Sequence, residues 1–275
     1  MADLPDKGPY QSLDDIIDGF TALEDFFRAN RDRRAIFTTA YLVITEATKH
    51  NLETSLFHDG AWITRYAVTF ANLYRTALLS REGRDATPLP KAWRIAFDAA
   101  ANNSALMIQD LTLGISAHIN RDLPFVLKAI GMKPHDERFP DFIAANVVLR
   151  EATEPMEKRV LDLYAPGIQM MAAAARPLTL ELTSFSVEKA RDQAWTWGLA
   201  LSSARTRFLR NLLDRAIDDS SAVLARLILR PTLEFPFLVP MLRRLEETHP
   251  WWEVIPAAAD LLSMPDAFNT HGDSA

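Results

Sequence analysis

"SLDDIIDGFTALEDFFRAN", residues 12–30, decides the fold class, because its apolar residues recur at spacings of three and four. Leu13, Ile16, Phe20, Leu23 and Phe27 share one helical face. Ser12 stands at the N-cap position and Asp15 follows three residues later, close to a capping-box pattern. Outward from this stretch the same periodicity predicts helices over 32–55, "DRRAIFTTAYLVITEATKHNLETS", and over 61–80 after a break at Asp59 and Gly60. "REGRDATPLP" is a loop that leads into "KAWRIAFDAAANN". A central segment runs from Ser104 to Met132, and a long helix over 141–164 should be kinked by Pro155. Helical patterning continues through "SVEKARDQAWTWGLALSSA", "RTRFLRNLLDRAIDDSSAVLARLIL", "PFLVPMLRRLEETHP" and "WWEVIPAAADLL".

No segment alternates as a strand does, so the expected fold is all-α, a single-domain bundle of about eight to ten helices. Residues 1–11 are expected to be a flexible N-terminus, 12–262 one helical domain, and 263–275 a disordered tail. The loop near 165–185 is the one plausible seam.

Composition narrows the function classes. Lys and Arg total 30 against 36 Asp and Glu, a formal net charge of −6, which lacks the basic surface that phosphate binding needs and argues against nucleic acid. The arginine groups "RDRR" (31–34) and "RTRFLR" (205–210) read as solvated helix ends. With no cysteine, disulfides, thiolate zinc sites and cysteine nucleophiles are excluded. "MADLPDKGPYQSLDD" is too acidic for a secretory signal, and no apolar run approaches the roughly 18 residues needed to span a bilayer. A cytoplasmic protein without an integral membrane segment is the expectation.

One stretch breaks the apolar pattern. "ISAHINRDLPFVL" (115–127), wound as a helix, places Ile115, His118, Asp122, Phe125 and Val126 on one face together with Leu111. Gly114, beside that face, lets a neighbouring backbone come close. A buried carboxylate is costly alone, so Asp122 must be paired, metal-bound, protonated or exposed in a cleft. Two structural readings stand beside a functional one. Asp122 can be the N-cap of a new helix, "LPFVLKAIGM", with Pro124 in its first turn, and His118 a core histidine bonded to a backbone carbonyl. Alternatively the pair converges on one point, as two metal ligands or as a base and the group that orients it. Glu46 and His50 repeat the spacing of four on an earlier helix, and Glu154 lies near the expected kink, able to face Arg191 or the motif. Asn120 and Arg121 fall off the main face. "DDIID" (14–18) has the letters of a magnesium–diphosphate motif but sits in a helix's first turns, where acidic residues suit the dipole.

"FANLYRTAL", "PKAWRIAF", "SAHINRDLPFVL" and "ARDQAWTWGLAL", in that order, resemble an uncharacterised, mostly bacterial family of all-helical proteins, a domain of unknown function whose strongest motif reads His-Ile-Asn-x-Asp-Leu. The resemblance covers residues 30–205 and implies the helical fold and a focal motif at His118, Asn120 and Asp122, but no reaction. The leading expectation is a small-molecule enzyme with His118, Asp122 and Asn120 as catalytic candidates. His50, His118, Asp122, Glu46 and Glu154 are the candidate ligands of a divalent metal (Zn, Fe or Mn) supporting hydrolysis through a metal-activated water. Non-haem iron oxidation is an alternative with the same ligands. A second alternative is a non-catalytic ligand-binding or interaction protein whose polar cluster is a structural hydrogen-bond network. The abundant Phe, Leu and Met suggest a small, largely apolar partner molecule.

Overall fold

The computed structural model describes residues 3–165, 187–230, 238–248 and 250, and among them there are helices and no strand. α1 (Leu13–Ala29) buries Ile16, Phe20, Leu23 and Phe27, the face the periodicity marks. Its capping box is formed: Ser12 Oγ accepts the Asp15 N–H at 3.0 Å while the Asp15 carboxylate accepts the Ser12 N–H at 3.0 Å. Asp14 pairs with Lys49 on the next helix, so "DDIID" is accounted for as a helix start.

α2 (Arg34–Leu52) is the axis of the bundle. Every residue from Ala35 to Val43 is buried, the pattern of a helix surrounded on all sides. It packs against α1 on one side and α7 (Phe139–Tyr164) on another, and its neighbours also include α5 (Met107–Ser116). α3 (Gly60–Arg81) starts where Asp59 accepts the Trp62 N–H at 2.8 Å, and α4 (Lys91–Ala101) follows the proline-bounded loop. Between α5 and α6 (Leu123–Ala129) the chain does not break; it passes through a π-helical turn, Ala117–Asp122. Helix α8 covers 187–203, and α9 (Arg207–Leu229) and α10 (Leu238–Thr248) follow.

The core divides in two. The larger cluster joins α1, α2, the second half of α3, α4 and α5. The smaller joins Trp62, Ile63, Tyr66 and Phe70 of α3 with Leu123, Val126 and Leu127 of α6, Phe142 of α7 and Ala194 of α8. The polar motif lies on the seam between them.

Two expectations need correction. The segment before α1 is packed rather than loose: Leu4 is buried, Asp6 holds Arg75 through two bonds of 2.6 and 2.8 Å, and the Tyr10 N–H donates to Asn72 Oδ1 at 2.9 Å. Arg33 is not solvated but buried, with its Nε 2.5 Å from Asp110, whereas residues 205–210 are exposed as expected. Pro155 lies inside α7, which continues on both sides of it. The seam near 165–185, "WWEVIPAAADLL" and the 263–275 tail lie outside the described residues apart from Ala165. Among the described residues no helix is long and apolar enough to cross a membrane.

Candidate functional site

The π turn is where the sequence departs from regular helix, and Pro124 supplies the reason. Lacking an N–H, it cannot complete the ladder, and the widened turn before it absorbs the interruption. The Leu123 N–H accordingly reaches the His118 carbonyl, five residues back. Asp122 is the residue before α6, yet its side chain caps nothing; it turns inward.

There Asp122 Oδ2 accepts the indole N–H of Trp93, on α4, at 2.8 Å and lies 3.2 Å from His118 Nδ1. Both His118 and Asp122 are 3% exposed. A tryptophan N–H only donates, so Oδ2 accepts from it, and an ionised Asp122 accepts from His118 Nδ1 as well, in the tautomer that carries the proton on Nδ1. Burial pushes the imidazole below its usual pKa, against the opposing pull of Asp122, so the ring is neutral near pH 7. In that neutral form Nε2 carries the free lone pair. Nε2 is buried and, among the described residues, has no hydrogen-bond partner. The ring is fixed by its neighbours: Phe70 stacks on it with centroids 3.5 Å apart and planes 5° from parallel, and Tyr41 meets it edge-on at 4.9 Å.

His118 forms part of the wall of a cavity of about 100 Å³ between the two core clusters. Tyr41 and Thr45 of α2, Tyr66 and Phe70 of α3, Val148 of α7 and Arg191 of α8 line other sides. Most of the lining is apolar. Arg191 is 3% exposed, and its guanidinium donates to Asn146 Oδ1 at 2.6 Å, to the Tyr66 hydroxyl at 3.0 Å and to the Phe142 carbonyl at 2.6 Å.

Of the residues singled out in the sequence, the structure brings His118 and Asp122 together and separates the others. Asn120 is half-buried and donates to Ser116 Oγ at 3.2 Å, away from the cavity lining. Glu46 is exposed and lies 3.8 Å from Arg159. His50 and Glu154 are exposed. The reason is register: α2 sets Phe37 and Tyr41 against His118, and His50 lies nine residues beyond Tyr41, roughly 13 Å further along the axis. Glu154 is similarly about 12 Å beyond Asn146, the α7 residue that meets Arg191. The five-ligand metal shell is thus not assembled, and among the described residues no three His, Asp or Glu side chains form a metal-binding group. The structural readings hold in part: Asp122 occupies the N-cap position of α6 with Pro124 in its first turn, but its side chain caps no N–H, and His118 is a buried histidine that meets a carboxylate rather than a carbonyl.

Two residues of this arrangement lie outside the candidates named from the sequence, where Arg191 figures only as a group that Glu154 can face. Trp93 looks like an ordinary core aromatic, and only the tertiary contact reveals its role; Arg191 interrupts an apolar stretch, but nothing local says that it faces the same cavity as His118.

A protein-family model described as a family of unknown function (DUF5995) matches residues 13–231, a wider span than the resemblance in the sequence suggests. Neither a curated protein nor a solved structure matches the chain.

Proposed function

The chain belongs to DUF5995, a family of unknown function, so its chemistry has to follow from its own side chains, and we propose that it binds a small, largely apolar molecule in the cavity beside His118 and acts on it by acid–base chemistry. The observation that carries this reading is the orphaned Nε2: a buried lone pair at a cavity wall, on a ring whose other nitrogen is held by a carboxylate. Leaving such a group unanswered costs about 1–3 kcal/mol, which a ligand hydrogen would recover. When Nε2 takes a proton from the bound molecule, the electron pair stays on the ligand. The imidazolium that forms donates to Asp122, and Trp93 keeps that carboxylate oriented. Metal-dependent hydrolysis would need further ligands at the same point as His118. The described residues supply no third one, so the geometry favours proton transfer without a shell of protein ligands.

A proton-abstraction probe tests the reading. Butanone, with five heavy atoms, loses an α C–H proton to a base, the electron pair resting on its carbonyl oxygen as the enolate, and uptake of deuterium from heavy water at that carbon reports the rate by NMR. The wild type should accelerate this exchange and His118→Asn should lose about a hundredfold of that rate. Equal rates in the two proteins would overturn the base assignment. As a second measurement, independent of any variant's folding, ¹⁵N spectra of the wild-type imidazole at pH 7 should show protonated Nδ1 and bare Nε2. The opposite tautomer would overturn it equally.

A further inference from the structure

Deepening that reading, and resting on the cavity being a binding site, we propose that its ligand is a monocarboxylate with a short apolar body, its carboxylate held by Arg191 and Tyr66. A guanidinium taken out of water needs a counter-charge, and this protein supplies one to three other well-packed arginines: Arg33 has Asp110, Arg34 has Asp32 and Glu82, and Arg75 has Asp6. Arg191 is more buried than Arg33, at 3% against 8%, yet among the described residues no carboxylate pairs with it. Its partners are an amide oxygen, a hydroxyl and a backbone carbonyl, all neutral, with the Phe142 ring 4.3 Å from the guanidinium carbon.

A guanidinium has five N–H donors, and these three contacts leave two. The Tyr66 hydroxyl accepts from Arg191 and so keeps its own hydrogen to donate. Arg191 and Tyr66 both line the cavity, so an N–H and an O–H are available to two oxygens of one ligand group. The lone positive charge matches a single negative one; a phosphate dianion would leave charge uncompensated in a low-dielectric site. The remaining walls are largely apolar, and about 100 Å³, smaller than the roughly 150 Å³ apolar cavity that takes benzene, suits a body of only a few carbons. Tyr66 and Phe70, one helical turn apart on α3, connect the arginine end to the ring stacked on His118. A carboxylate at Arg191 therefore aims the ligand's body along the wall that carries Nε2.

The test compares straight-chain alkanoates of two to five carbons with primary alcohols of the same length and with inorganic phosphate, by calorimetry and melting temperature. Wild-type protein should bind the best alkanoate about ten- to a hundredfold more tightly than its alcohol, as expected for a hydrogen-bonded charge pair. Arg191→Met should abolish that preference. Because this variant can fail to fold, Asn146→Asp is the decisive partner. It sets a carboxylate where Asn146 Oδ1 now lies 2.6 Å from Nε and so satisfies the guanidinium internally. It should melt higher than wild type and lose the alkanoate preference. Alcohols binding as well as alkanoates, phosphate binding better than either, or undiminished alkanoate preference in Asn146→Asp would each overturn the carboxylate assignment. If alcohols still bind and shift the His118 ¹⁵N resonance, the cavity reading survives that failure. If neither class binds at millimolar concentration, both readings fall.

Discussion

Asp122 Oδ2 accepts the Trp93 indole hydrogen and lies 3.2 Å from His118 Nδ1, and a carboxylate in that place favours the tautomer in which Nε2 is the basic ring nitrogen. The ring also makes the protein's stability depend on pH in a definite direction. Burial lowers the pKa of His118 in the folded chain, while in the unfolded chain it stays near 6.5. Between those two values the unfolded chain binds a proton that the fold refuses. His118's contribution is therefore intact above the unfolded value and declines as pH falls toward the folded one, by at most about 1.4 kcal/mol per pH unit. In urea titrations the stability advantage of wild type over His118→Asn should shrink between pH 7.5 and pH 5. A constant gap would mean that the ring titrates alike in both states, contrary to its burial. At this scale the sequence was half legible. Two polar residues on an apolar face point to His118 and Asp122, because that signal is local. Trp93 and Arg191 sit 25 and 73 residues from His118, and nothing in their own neighbourhoods marks them as its companions.

At the scale of the element, the spacing of four that joins His118 to Asp122 is read from a regular helix, yet the pair stands in a π turn. The pairing survives because residues four apart still neighbour one another on a helix whose ladder has widened by one residue. Helix existence was legible almost everywhere, since a 3.6-residue periodicity writes itself into sequence; the widened turn was not, since it reflects Pro124 and packing together. Gly114 shows the same limit. The expectation was close approach of a backbone, but what fills the space is the Phe37 side chain, and a Cβ at 114 would overlap it. Gly114→Ala gains up to about 1 kcal/mol of helix propensity and costs about 1–3 kcal/mol through overpacking. Phe37 cannot retreat easily, being packed edge-on to Trp93 at 5.5 Å and to Tyr74 at 5.0 Å. The net expectation is a loss of about 1–2 kcal/mol by thermal or urea unfolding. Because Phe37 also lines the cavity, alkanoate binding should weaken in the same variant. A more stable variant would show that the ring has room to move.

For the whole molecule, the sequence told which residues are apolar but not which helices meet, and the buried charges depend on the second. "RDRR" reads as solvent-facing because arginines usually are; Arg33 instead joins three helices, reaching Asp110 on α5 at 2.5 Å and Glu246 on α10 at 3.3 Å, with its Nη2 also donating to the Ala105 carbonyl at 3.1 Å. Glu246 in turn accepts the Met107 N–H at 2.9 Å. Replacing Arg33 by Met leaves two carboxylates near one another without their cation, and breaking a buried pair in this way costs about 3–5 kcal/mol. The penalty should itself depend on pH. Burial already lifts Asp110 to about 6 with Arg33 present, and Glu246 is raised for the same reason. A carboxyl whose folded pKa exceeds its unfolded value contributes stability while protonated and loses it as pH rises through the folded pKa. Without the guanidinium both folded values climb further, so the variant loses more than wild type across the neutral range. Arg33→Met should be mildly impaired at pH 5, where the acids are neutral, and severely impaired at pH 8. Arg207→Ala, at an exposed position, should stay within about 0.5 kcal/mol of wild type at both. A pH-independent deficit in Arg33→Met would mean that packing of the long side chain, rather than its charge, holds α2, α5 and α10 together.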